Sequence, residues 1–140
     1  MTGETDLDIL VASMRPELDS TTYVWASVDG LASAGALIDA VATVREAEGL
    51  TLVLPIDAAG RHGLEFEFPS ARITLAVHSS LEAVGLTAAF ARALADAGIS
   101  ANVVAGFHHD HLFVPRDRAA EAMAALEALA ARAADARRAR

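Results

Sequence analysis

Residues 72–116 read RITLAVHSSLEAVGLTAAFARALADAGISANVVAGFHHDHLFVPR, and the changes of period along them decide the fold. Ile73, Leu75 and Val77 alternate with Thr74, Ala76 and His78, the period of a strand with one buried face. Ser79-Ser80-Leu81-Glu82 reads as a capping box, a hydroxyl for an orphan N–H followed by a glutamate to reach back. Beyond it Leu86, Phe90, Leu94 and Ala97 keep one apolar helical face. Gly98 tolerates the positive φ that ends a helix, and Ile99 is placed to cover the end. Asn102 to Phe107 is apolar and partly β-branched, His108-His109-Asp110 suits a turn, and His111 to Val114 returns as a strand closed by Pro115. Asp117 is expected to cap a last helix whose apolar face is Met123, Leu126, Leu129 and Ala130. The order is β-α-β-β-α.

The first half is less regular. Leu7, Leu10, Val11 and Met14 follow Asp6 at i, i+3, i+4 and i+7, a short helix that Pro16 helps to end. Tyr23 to Val28 is a strand by composition, stopped by Asp29-Gly30. Ala36 to Glu46 fits either a helix or a strand, and a hairpin with Leu50 to Leu54 through Glu48-Gly49 is preferred. Ile56 to His62 suits a short helix ending at Gly63, and Phe66 and Phe68 alternate with Glu65 and Glu67 in a strand halted by Pro69. The halves divide at residues 1–69 and 70–140. Helices alternating with hairpins imply an α+β fold, antiparallel sheet with helices on one face. The arginines of 132–140 suit a solvated helix end, where cations meet the negative end of the dipole.

Composition narrows the function classes. The 140 residues are 54% hydrophobic, too apolar for a disordered chain, and hold no cysteine, which removes disulfides and sulfur-ligated zinc. A net charge of −8 argues against a nucleic-acid partner, which requires a cationic face. No apolar run approaches a membrane span, and the N-terminal residues lack the pattern of a signal peptide, so a cytoplasmic protein with no membrane partner is expected. All the Lys/Arg-type cations are arginine, which fits a GC-rich genome as well as any role in anion binding.

The segments 72–75, 78–86, 97–99, 102–106 and 109–115 together resemble a small ACT-domain protein, and more narrowly a bacterial family of short tandem ACT proteins. Ala12-Ser13-Met14-Arg15-Pro16 and residues 46–55 extend the resemblance to about 6–130. It implies a ferredoxin-like βαββαβ unit in each half and a regulatory, non-catalytic role. ACT domains typically bind free amino acids or related metabolites, often where domains meet across a dimer, as in aspartate kinases and the cytosolic arginine sensors of animals. The ligand-facing loop between first strand and first helix would here supply Ser79, Ser80, Leu81, Glu82, Val84, Gly85 and Leu86. An asparagine early in the second strand often joins it, and Asn102 stands there, beside Val103. The chain lacks the Asp-x-Pro-Gly of many ACT domains, with residues 80–85 in its place.

The chemistry of these residues suits a binder. A strand-to-helix turn offers orphan N–H groups to a carboxylate, glycine permits close approach, and asparagine both donates and accepts. Each residue also has a structural reading: Ser79 and Glu82 as caps, Gly85 for packing, Asn102 for a turn. His108, His109, Asp110 and His111 could suit zinc or nickel, but on a strand His108 points away from His109 and His111, and a polar turn explains them. There is no Gly-x-Ser-x-Gly elbow, phosphate loop or His-Glu-x-x-His helix. The expectation is a homodimeric amino-acid sensor without catalytic residues, metal or cofactor. The alternative is a ligand-free homodimeric assembly module, paired through exposed sheet edges.

Overall fold

The computed structural model describes residues 6–29, 34–77 and 84–139. Helix α1 (Leu7–Ser13) begins where the Asp6 carboxylate accepts from the Ile9 amide at 3.2 Å, and buries Leu10 and Val11. Strand β1 (Pro16–Val28) follows at once. It starts well before Tyr23, because Pro16, Glu17 and Leu18 pair with Leu75, Thr74 and Ile73. The ambiguous stretch resolves into both candidates in turn: helix α2 (Ala34–Asp39), then strand β2 (Ala42–Glu46), which forms the expected hairpin with β3 (Gly49–Pro55). Helix α3 (Ile56–Arg61) leads to β4 (Glu67–Leu75).

Pro69 does not halt that strand. The β1–β4 register slips between Tyr23↔Ser70 and Trp25↔Glu67, so an extra residue of β4 bulges out, with Phe68 at φ +58°. A proline has no amide to contribute to a ladder, and a bulge is a place where none is needed. Helix α4 (Leu86–Asp96) starts later than a capping box at Ser79 to Glu82 would place it: its N-cap is Gly85, at φ +94°. Its end matches the reading. The amides of Gly98 and Ile99 bond the carbonyls of Ala95 and Leu94, a Schellman motif with Gly98 at φ +71° and Ile99 buried. Strands β5 (Asn102–Ala105) and β6 (Asp110–Pro115) form the second hairpin. Asp117 does not cap the last helix, since a 3-10 turn (Arg116–Arg118) intervenes and α5 (Ala119–Arg138) has Arg118 as its N-cap residue without a side-chain cap.

All six strands form one antiparallel sheet in the order β2-β3-β1-β4-β6-β5. This order contains two interleaved βαββαβ units. The first is β1-α2-β2-β3-α3-β4, with sheet order β4-β1-β3-β2. The second is β4-α4-β5-β6-α5, whose fourth strand is supplied by β1, giving β1-β4-β6-β5. Each central strand is thus the first strand of one unit and the last of the other. The point between residues 69 and 70 lies inside β4.

The helices share one face. Ile73, Leu75, Leu112 and Val114 from the sheet meet Leu86, Phe90 and Leu94 of α4, Ala122 and Leu126 of α5, and Leu10 and Val11 of α1. Val24, Ala26, Leu52 and Leu54 meet Ala36 of α2 and Ala58 and Ala59 of α3. The alternate side chains form a third cluster on the helix-free face: Tyr23, Val53 and Phe113, with Trp25, Phe68, Ala42 and Val104 around them. Phe113 is 1% exposed although no helix covers it. Bulges raise local twist, and the sheet curls until Ala42 and Val104, from opposite edge strands, line one cavity beside Phe113.

The glycine at the start of α4 is favoured by its positive φ, and a side chain there would also have to displace the tip of Leu7. Besides the positive φ, a Cβ at Gly85 would stand 2.9 Å from Leu7 Cδ2, whereas one at Gly98 would meet nothing within 4 Å. Gly98→Ala should therefore cost only the left-handed backbone penalty, about 1–2 kcal/mol in urea unfolding. Gly85→Ala should cost more, and Leu7→Ala in the Gly85→Ala background should recover part of the difference; equal costs at the two glycines would refute the Leu7 contact.

Candidate functional site

The chain leaves β4 with the Ala76 amide bonded to the Arg15 carbonyl at 2.8 Å, which extends the β1 pairing to the start of the turn. Of the residues expected to face a ligand, Ser79, Ser80, Leu81 and Glu82 lie outside the described residues. Val84 is 84% exposed, Gly85 forms the left-handed entry to α4, and Leu86 is buried in the helix-side core. The close approach that Gly85 permits is made by Leu7.

Asn102 and Val103 lie elsewhere on the second unit. Strands β4 and β5 both run antiparallel to β6, so they run in the same direction, and the end of β5 at Ala105 is level with Leu75. Asn102 is at the other end, opposite Phe113, exposed on the edge strand and on the helix-free face. Val103 is half-buried against the helix-side core. Within one chain, the described site residues therefore fall in two places, the entry to α4 and the far end of β5.

What stands beside the exit of β4 is the tip of the β5–β6 hairpin. The Gly106 amide donates to the His109 carbonyl at 2.8 Å, and His109 Nδ1 lies 3.4 Å from the Val77 carbonyl, to which it can only donate. Phe107 at the tip is 76% exposed, edge-on to His108 at 5.1 Å between ring centroids. Among the described residues no three His, Asp or Glu side chains gather as a metal site. The hairpin's histidines instead serve separate contacts.

His111 is placed on the helix-free face by the alternation of β6, across from Thr74 and Val104. Its Nδ1 lies 2.9 Å from Thr74 Oγ1 and 3.4 Å from both Nε and Nη2 of Arg72. Arginine can only donate, so Nδ1 accepts and a neutral ring carries its proton on Nε2. The Arg72 guanidinium also lies over the Tyr23 ring, 5.8 Å from its centroid. The Tyr23 hydroxyl donates to Asp19 Oδ2 at 2.7 Å, and the other Asp19 oxygen accepts from the Thr21 amide at 2.9 Å. That amide is the chief cause of a lowered Asp19 pKa. Burial, then the Arg72 and His109 charges, hold the His111 imidazole below its ordinary value, while burial pushes the Asp110 carboxyl up. This cluster was not singled out in the sequence. Its signal was the alternation of Arg72 and Thr74 with Ile73 and Leu75, which places both polar side chains opposite the helices.

Two family models described as ACT domain match the chain, at residues 2–71 and 67–128. The chain belongs to the ACT-domain family. The matches overlap at 67–71, the opening of the shared strand β4. Among solved structures, it is similar to a Vibrio cholerae protein of unknown function, described as a possible transport protein, at 50% identity and TM-score 0.80. That likeness covers 90% of this chain and 97% of the other. A protein from Agrobacterium tumefaciens is 18% identical with a TM-score of 0.68, covering 84% of this chain and 89% of the other. The ligand-free regulatory subunit of aspartate kinase from Thermus thermophilus is 12% identical at TM-score 0.63, covering 84% and 96%. At such identities the last two show the fold alone. No curated protein matches the chain. No helix among the described residues is long and apolar enough to cross a membrane.

The His111 environment makes stability depend on pH. The unfolded chain takes up the imidazole proton first, so the His111 contribution is complete above about pH 6.5. It is lost as pH falls from there toward the lower pKa of the folded ring. The Asp19 contribution is lost only at lower pH, below the ordinary carboxylate range. Unfolding free energies from denaturant titrations should therefore fall more steeply below about pH 6.5, the ordinary imidazole value, in the parent than in His111→Asn. Parallel slopes would contradict this reading.

Proposed function

We propose that this ACT protein is a non-catalytic regulator that binds a free amino acid at the β4–α4 turn, as a homodimer in the cytoplasm. The observation that carries the reading is the pair of ACT units with a left-handed glycine at the entry to α4. Gly85 has no side chain to cap the helix, and the first turn of α4 has N–H groups without intrahelical partners, which suit a carboxylate. Ser79, Ser80, Leu81 and Glu82 precede that turn, with Val84 and Leu86 flanking the glycine. Asn102 and Val103 stand apart from it in one chain, so in this reading their contribution comes from a second copy that brings the edge strand β5 against the turn. A dimer then completes the site, and the two copies shift against one another when it fills.

The edge strands β2 and β5, unpaired on their outer sides among the described residues, favour a second reading. Edge pairing alone would give a dimer without any ligand.

A thermal-shift screen of the twenty amino acids, followed by calorimetry, separates the two. A ligand at a hundredfold its Kd should stabilise the fold by ~2.7 kcal/mol. The regulator reading expects a selective shift that Ser80→Ala and Asn102→Ala both weaken, and a dimer in sedimentation. A flat screen on a folded dimer would favour edge assembly instead. Substitution at Gly85 is unsuited to this test, because its effect on the Leu7 contact would mask any effect on the ligand.

A further inference from the structure

The curled, helix-free face forms a half-open cavity of about 130 Å³ between the two edges of the sheet. Val41, Ala42, Val104 and Phe113 form its apolar wall, and Arg72 and His111 are its polar side chains. Gly106 completes it. A Cβ there would stand 2.8 Å from the His109 carbonyl oxygen and 3.2 Å from His111 Nε2, so the backbone is drawn tightly against the imidazole edge.

The polar chemistry of this cavity has one sign. Arg72 is a half-buried cation; its charge helps to hold Asp19 ionised from a distance, but among the described residues no carboxylate makes a direct ion pair with it. Asp19 is engaged by the Thr21 amide and the Tyr23 hydroxyl, and Asp110 occupies a helix-side position, in register with Leu75 and Ala105. Since the guanidinium donates to His111 Nδ1, the neutral ring presents Nε2–H as a second donor. An anion accepting from both groups would gain a charge-assisted hydrogen bond from the guanidinium and a second from the imidazole.

We propose that this cavity binds a small monocarboxylate, held at its charged end by Arg72 and His111 and at its apolar end by Val41, Ala42, Val104 and Phe113. The volume equals that of roughly four waters, which suits a ligand of about five heavy atoms. None of the described residues that line the cavity is a carboxylate able to receive an ammonium, so the ligand class is a short-chain carboxylate rather than an α-amino acid. Its apolar walls favour an alkyl tail over a hydrated inorganic anion. The site lies on the opposite face of the sheet from the helices, and it does not depend on the amino-acid reading of the β4–α4 turn.

The test is calorimetry of the full chain with sodium propionate, against propionamide, alanine and sodium chloride. Amide and side-chain N–H shifts from NMR locate the site. Propionate should bind saturably and shift Arg72 Nε–H, with each of the other three at least about tenfold weaker. Arg72→Gln should weaken propionate by at least about tenfold. Ala42→Leu, which fills the cavity and leaves both donors in place, should do the same. Absence of saturation, equal binding of propionamide or chloride, or unchanged affinity in Ala42→Leu would each overturn the proposal. So would propionate binding that Asn102→Ala abolishes and Arg72→Gln leaves intact, which would belong to the turn site.

Discussion

The antiparallel pairing of β1 with β4 is the contact on which the rest of the molecule depends. It runs from Pro16↔Leu75 to Trp25↔Glu67 and lies at the centre of the sheet. Without it neither βαββαβ unit has its fourth strand, and the two helix-side cores lose the backbone that joins them. The pairing also carries the register shifts on both strands, at 18–22 on β1 and at 67–70 on β4. Those shifts curl the sheet, and the curl buries Phe113 and Tyr23, 1% and 5% exposed, on a face that no helix covers.

The shared strands bear on function. A tandem domain whose halves met only through a linker could bind a ligand in one half without consequence for the other. Here the turn that follows β4 belongs to the second unit, while β4 itself closes the first. Alpha-helix α1 adds a further tie, with Leu7 against Gly85 at the entry to α4 and Leu10 and Val11 in the core beneath it. In the proposed reading, a ligand that favours one geometry of the α4 entry would act on elements held in common, and that preference would be the differential affinity a regulator needs.

Most of the second unit was legible in the sequence because its signals are local. The Leu86, Phe90 and Leu94 spacing, the Gly98-Ile99 stop and the turn before His111 each reflect contacts within a few residues. What was missed depends on partners far away in the chain. Pro16 to Leu18 become strand because Ile73 to Leu75 pair with them, and Pro69 is tolerated because the β1 register supplies a bulge. Asp117 resembles a cap, but the 3-10 turn moves the start of the helix beyond its reach. Arg72 and His111 were readable as residues of the polar face, yet their meeting depends on β4 lying beside β6, which no local pattern encodes. The same holds for the separation of Asn102 from Gly85, which follows from the direction of β5.

If β1 and β4 are common to both units, the chain must unfold as one. Equilibrium unfolding in urea, followed at once by fluorescence of Trp25, the only tryptophan, and by helical circular dichroism, tests this most directly. Trp25 packs edge-on to Phe68 and Phe113 on the helix-free face, at 5.5 and 5.0 Å, while the 20-residue α5 dominates the helical signal from the second unit. The shared-strand account requires the two transitions to coincide in midpoint and steepness. Two separated midpoints, with one unit standing after the other has melted, would contradict it.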